Sequence, residues 1–173
     1  RPYPWVLSPA TGHINGPETG SVEATGHKVL ALPTGPEGKL TAAQVEEAVR
    51  AHWADEAREH LVQPKMVYIS HPTENGALYT VAGLEALSET CKELGLYLLL
   101  DGARLGYGLT ARGSHVSPGD LARLSVVFSI GGTNCCQPLG EVWAIANSDL
   151  LRHLRHHNLP HLALLDHGRL VGR

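Results

Sequence analysis

Leu96 to Leu100 reads LYLLL and ends in Asp101, followed by Gly102, Ala103 and Arg104. A carboxylate at the end of a buried run is costly unless it meets a cation or hydrogen-bond donors. Gly102 lets the backbone turn, and Arg104, three residues on, can return a guanidinium toward the same edge. The pattern serves a structural Asp101–Arg104 ion pair or a loop cap as well as it serves a functional site. Three more segments carry reactive residue types. His13 follows the first short apolar run, Thr73 and Glu74 lie in HPTENG, and Gly131-Gly132-Thr133-Asn134 follows SVVFSI. If those runs are strands of an open α/β sheet, all four segments fall at the carboxyl ends, where ligands gather.

Other reactive groups are weaker. His153, His156, His157 and His161 form the densest part of the eleven histidines, and His153 and His157 would share a helix face. No Glu stands between them in the metalloprotease position, so a polar face rich in His and Arg is preferred and no metal is expected. Cys91, Cys135 and Cys136 give no disulfide framework, which points to a reduced, cytoplasmic chain.

The elements that must position these groups follow from periodicity and punctuation. Trp5 to Leu7 reads as a strand end, and Lys28 to Leu32, closed by Pro33, as a strand. Thr41 caps a helix over Ala42 to Trp53, with Val45, Ala48 and Val49 at helical spacing. Lys65 to Ser70 is a buried strand and His71 to Gly76 a loop. A second helix over Thr80 to Leu94 places Leu84, Leu87, Cys91 and Leu94 on one face and stops at Gly95. Leu96 to Leu100, Ser125 to Ile130 and Glu141 to Ala146 are further strands. The last 25 or so residues read as helical, broken at Pro160. Strands alternating with helices, and near-continuous apolar strands, predict an α/β domain with a mostly parallel sheet covered on both faces. The formal charge of −3 argues against a basic nucleic-acid footprint, and no apolar run has the length of a membrane span.

Several segments together resemble one family: Thr11 to Leu30 (TGHINGPETGSVEATGHKVL), KMVYISHPTENG, LDGARLG at 100–106, and FSIGGT…PLGE at 128–141. The resemblance is to the threonine aldolase and β-eliminating lyase family of pyridoxal-phosphate enzymes, with aminotransferase fold type I. It implies cleavage of a β-hydroxy-α-amino acid into glycine and an aldehyde. By resemblance, Asp101 would pair with the pyridine nitrogen of the cofactor, and His13 would stack on the ring and help to deprotonate the substrate hydroxyl. Gly132 and Thr133 would touch the phosphate. Arg104 would bind the substrate carboxylate, with Thr73 facing the substrate and Glu74, a catalytic candidate, standing where some relatives carry a His. The resemblance also implies a homo-oligomer acting on a small amino acid.

The departures shape the expectation as much as the matches. The family's Schiff-base lysine falls at Asn134, and an amide cannot take that role. Either Asn134 is a true substitution, or one residue is missing between Thr133 and Asn134. The four lysines are Lys28, Lys39, Lys65 and Lys92. None lies downstream to replace the missing one, and none is expected at the carboxyl edge. His167, in DHGRL, stands where relatives often carry Lys. The sole methionine is Met66, which suggests a fragment or processed chain. Against the family, residues 1–173 read as a partial large domain without the amino-terminal segment and the small carboxyl-terminal domain. The expected function is a threonine-aldolase-like lyase domain impaired in turnover, or a non-catalytic homologue that keeps the fold and an interaction surface.

Overall fold

The computed structural model describes residues 4–132, 135, 140–148 and 150. Six strands form one sheet: β1 Pro4–Pro9, β2 Lys28–Leu32, β3 Gln63–Ser70, β4 Tyr97–Asp101, β5 Val127–Gly131 and β6 Glu141–Ile145. Their order is β2-β1-β3-β4-β5-β6. The first five strands run parallel, and β6 returns antiparallel on β5, with Phe128 opposite Ala144. Four helices connect them: α1 Ala42–Ala54, α2 Val81–Glu93, α3 Leu105–Thr110 and α4 Pro118–Leu124. The mostly parallel α/β architecture read from the sequence is the one observed.

Local chemistry explains most boundaries. The Thr41 hydroxyl accepts from the Gln44 N–H at 3.3 Å while the Gln44 side chain accepts from the Thr41 N–H at 3.0 Å, a reciprocal capping box. α1 then buries Val45, Val49 and His52, one turn apart on one face. Thr80 caps α2 by accepting from the Gly83 N–H at 3.0 Å, so the expected helix start at Thr80 is the cap itself. Leu84, Leu87 and Cys91 are buried on α2, and Gly95, at φ +67°, ends the turn beyond it.

The sheet has two unlike faces because side chains alternate along a strand. Leu7, Val67, Ile69, Leu98, Leu100 and Phe128 join the core with residues of α1, α2 and α4. The intervening residues of β3 and β4, among them Tyr68, Ser70, Leu99 and Asp101, take the other face. That face carries the polar groups of interest at its carboxyl end.

Two differences from the sequence reading have clear causes. β1 is a six-residue interior strand, paired with both β2 and β3, where a strand end was expected. Pro4 and Pro9 disguise it, yet a proline is tolerated at strand ends. The helices α3 and α4 were not anticipated, since six and seven residues are too few for a periodic signal. α4 is nonetheless capped by Ser117 with Pro118 in its first turn and Asp120 completing the box. Among the described residues, no helix is long and apolar enough to cross a membrane. The expected helical segment past residue 150, its break at Pro160, and the histidines 153, 156, 157, 161 and 167 lie outside the described residues.

Candidate active site

Parallel strands put their carboxyl ends on one edge. The order around β1 also reverses direction there, with β2 on one side and β3 on the other, which opens a crevice at that edge. The segments after β1, β3, β4 and β5 therefore leave the sheet at that one edge.

Asp101 ends β4 beside Ser70 of β3. Its Oδ1 accepts from the Ala103 N–H at 2.8 Å and from the Ser129 hydroxyl at 3.4 Å, and its Oδ2 accepts from the Tyr68 hydroxyl. The Ser129 hydroxyl in turn accepts from the Gly102 N–H at 2.9 Å. Burial, and after it the charge of Asp101, raises the Tyr68 phenol well above the ordinary tyrosine range. Tyr68 thus stays protonated and acts as a donor.

Gly102 and Gly131 have a packing reason of their own. A Cβ on Gly102 would lie 1.9 Å from the Ser129 carbonyl oxygen, and one on Gly131 would lie 2.2 Å from the Ala103 carbonyl oxygen. The Gly131 N–H donates to the Gly102 carbonyl at 2.9 Å. The turns after β4 and β5 are therefore pressed backbone to backbone, and only glycine permits it. The Gly132 N–H donates to the Gly140 carbonyl at 3.0 Å.

Arg104 does not pair with Asp101. Its Nη1 donates to Glu74 Oε2 at 2.8 Å, and Glu74 Oε1 accepts from the Ser70 hydroxyl at 3.1 Å. The Glu74 contact raises the guanidinium's already high pKa. Ser70 also lies 3.5 Å from the Tyr68 hydroxyl, so a polar chain runs Asp101–Tyr68–Ser70–Glu74–Arg104. Of the sequence candidates, this cluster gathers Asp101, Glu74 and Arg104.

The others stand apart from it. Thr73 is buried, donating to the Glu37 carbonyl at 2.7 Å and accepting from the Ala77 N–H at 3.0 Å, so it closes its own loop. His13 opens a single 3-10 turn after β1, and its Nδ1 lies 2.6 Å from Glu18 Oε1. Among the described residues, no hydrogen bond or ion pair joins it to the cluster. Thr133 and Asn134 lie outside the described residues.

Sequence reasoning missed Tyr68 and His71. The signal for Tyr68 was a phenol inside an apolar strand, which needs a partner when buried. His71 is fully buried after β3; its Nδ1 accepts from the Tyr79 N–H at 3.3 Å, and its Nε2 has no partner among the described residues. Burial and the charge of Lys39 lower its pKa, which keeps the ring neutral. Lys39 itself corrects an expectation. Its loop rests on the one after β3, through Thr73 to Glu37 and Asn75 to the Pro36 carbonyl at 2.7 Å, so it stands on the carboxyl side of the sheet. There it pairs with Glu37 at 2.9 Å. Among the described residues, no group of three or more His, Cys, Asp or Glu is placed to hold a metal ion.

The donor set fits pyridoxal phosphate at one end and not at its anchor. Asp101, oriented by three donors, suits a cationic ring nitrogen, and Arg104 suits a substrate carboxylate. Asn134, where the resemblance places the covalent anchor, offers no amine.

Comparison with known proteins agrees with the fold. The family model described as beta-eliminating lyase matches residues 1–157. A low-specificity L-threonine aldolase of Pseudomonas aeruginosa is 34% identical over 152 residues, covering 86% of this chain and 42% of that protein. A Leishmania major threonine aldolase structure superposes with a TM-score of 0.84 at 45% identity, covering 90% of this chain and 44% of that one. An aspartate aminotransferase of Thermus thermophilus shares the fold, at TM-score 0.63 and 22% identity. The chain thus spans less than half the length of the threonine aldolases it matches.

Proposed function

Because the chain belongs to the beta-eliminating lyase family, we propose that it carries the ring-facing and carboxylate-facing part of a threonine-aldolase-type lyase, acting on a β-hydroxy-α-amino acid of the threonine kind. The observation that carries this reading is the polar chain at the carboxyl edge, with a donor-held Asp101 at one end and Arg104 at the other. Pyridoxal phosphate, when bound, supplies an electron sink for the carbon–carbon cleavage. Asp101 keeps a ring nitrogen protonated, which strengthens that sink. Arg104 takes the amino acid carboxylate and orients the scissile bond, a task suited to a planar fork of donors. Glu74 holds the guanidinium until a substrate carboxylate competes for it. His13, on the β1 turn, would stack on the ring and take the hydroxyl proton, and Gly132 and Thr133 would serve the phosphate. A homo-oligomer completes the site, and a reducing compartment such as the cytoplasm suits the free thiols of Cys91 and Cys135.

Asn134 makes this chain impaired in turnover, since its amide cannot hold and release the cofactor. The test compares the natural chain with an Asn134→Lys variant after incubation with pyridoxal phosphate and reduction by borohydride. The variant should retain cofactor on the peptide containing residue 134, and the natural chain should not. If neither takes up cofactor beyond a heat-unfolded control, the reading is wrong. An intact mass above that of the written sequence by one lysine residue would move the anchor back between Thr133 and Asn134. The second reading, a non-catalytic homologue, rests on the same Asn134 and on an Arg104 already occupied by Glu74. It prevails if Asn134→Lys holds cofactor yet releases no glycine from threonine.

A further inference from the structure

We propose that Tyr68 is the positioning residue for Asp101: its hydroxyl, donated to Oδ2, fixes the plane of the carboxylate and presents it to a cationic ring nitrogen at the carboxyl end of β4. The inference rests on the reading that Asp101 faces such a ring.

The argument is geometric. Oδ1 is held by the adjacent turn, through the Ala103 N–H at 2.8 Å, and more loosely by Ser129 at 3.4 Å. Both of those donors sit on one oxygen, and a carboxylate tethered at one oxygen can still swing its other oxygen about that point. Tyr68 supplies the second tether, from another strand. The parallel register sets Tyr68 opposite Leu99 and Ser70 opposite Asp101, so Tyr68 is the diagonal neighbour of Asp101. Diagonal neighbours on a sheet face are about 7–8 Å apart, a gap that long or aromatic side chains can bridge. A phenol bridges it, and its ring is immobilised because Tyr68 is only 5% exposed.

The choice of a phenol also settles the charge. Burial, and after it the charge of Asp101 with a smaller effect of Glu74, holds the hydroxyl in the neutral form. Tyr68 donates at every working pH and never sets a second anion beside Asp101. Phenylalanine would keep the packing and lose the tether.

The experiment uses pyridoxine 5′-phosphate, which carries the ring and phosphate but no aldehyde to react with lysines. Binding to the natural chain, Tyr68→Phe and Asp101→Asn is followed by fluorescence, and protonation of the bound ring nitrogen by its ultraviolet spectrum. Tyr68→Phe should weaken binding roughly threefold to tenfold and lower the pH at which the bound ring loses its proton by up to about one unit. Asp101→Asn should do more of both. If Asp101→Asn binds and titrates like the natural chain, or neither binds, the ring-facing reading fails and this inference falls with it. If Asp101→Asn is weakened while Tyr68→Phe matches the natural chain in both readouts, the positioning role alone is refuted.

A second readout needs no ligand and no Tyr68 variant. The ζ-carbon resonance of Tyr68 should titrate at lower pH in Asp101→Asn than in the natural chain. An identical titration in both overturns the Tyr68–Asp101 tether.

Discussion

Replacing Gly102 by alanine should strike both the stability of the sheet and the geometry of Asp101. The added methyl would lie 1.9 Å from the Ser129 carbonyl oxygen and 3.0 Å from Leu105 Cβ. Carbon–oxygen contacts settle at about 3.3 Å or more, so the ends of β4 and β5 must part by more than about 1 Å. That movement breaks the Gly102 N–H to Ser129 bond at 2.9 Å and the Gly131 N–H to Gly102 carbonyl bond at 2.9 Å. Two hydrogen bonds at about 1 kcal/mol each, with about 1–3 kcal/mol for overpacking, give a loss of about 3–5 kcal/mol. Urea unfolding followed by circular dichroism reads this directly. At a slope of about 2 kcal/mol per molar, the midpoint falls by about 2 M. Gly119→Ala is the internal control. Its methyl meets only the Ser117 hydroxyl oxygen at 3.6 Å within α4, so it should stabilise by a few tenths to about 1 kcal/mol. A Gly102→Ala loss under about 1 kcal/mol would refute the close-approach argument.

Other outcomes follow from the same geometry. Glu74→Gln should release Arg104 to external carboxylates. The pair is solvent-screened, so glycine binding, read from the arginine side-chain resonances, should tighten by no more than about fivefold; a weakening would show that Glu74 organises the site instead of competing for it. His71 is held neutral by burial, so its folded pKa lies below the unfolded value of 6.5. Below 6.5 the unfolded chain binds the extra proton, and stability falls as pH drops toward the folded value. The slope is at most about 1.4 kcal/mol per pH unit and should flatten in His71→Gln; an unchanged slope assigns the acid sensitivity to other groups. The Cys91 thiol is buried and pushed up to about 12. It should resist iodoacetamide in the folded chain and react on unfolding, and native labelling of Cys91 as fast as in urea would contradict its burial.

How much of this was legible beforehand depended on how local the cause was. The α1 and α2 boundaries were readable because Thr41, Thr80 and Gly95 act within one turn of themselves. The strands of β2 to β6 were readable because their apolar runs lie between Pro, Gly and polar turn residues. Asp101 and Arg104 stood out because a charge next to a buried run has few uses. Their partners did not. Arg104 reaches Glu74, 30 residues away, in place of the nearby Asp101, and Asp101 reaches Tyr68, 33 residues away.

The residue types and local periodicities determined the elements, their caps and the absence of an amine at Asn134. They also determined that a carboxylate and a guanidinium would stand at a strand end. Only the tertiary structure decided that β1 is interior, that Gly102 and Gly131 serve backbone contact, and which donor holds which acceptor. Those outcomes depend on strand order and register, which arise from packing between segments distant in the chain. A one-residue slip of β3 against β4 would turn Tyr68 to the other face and leave Asp101 without its second tether.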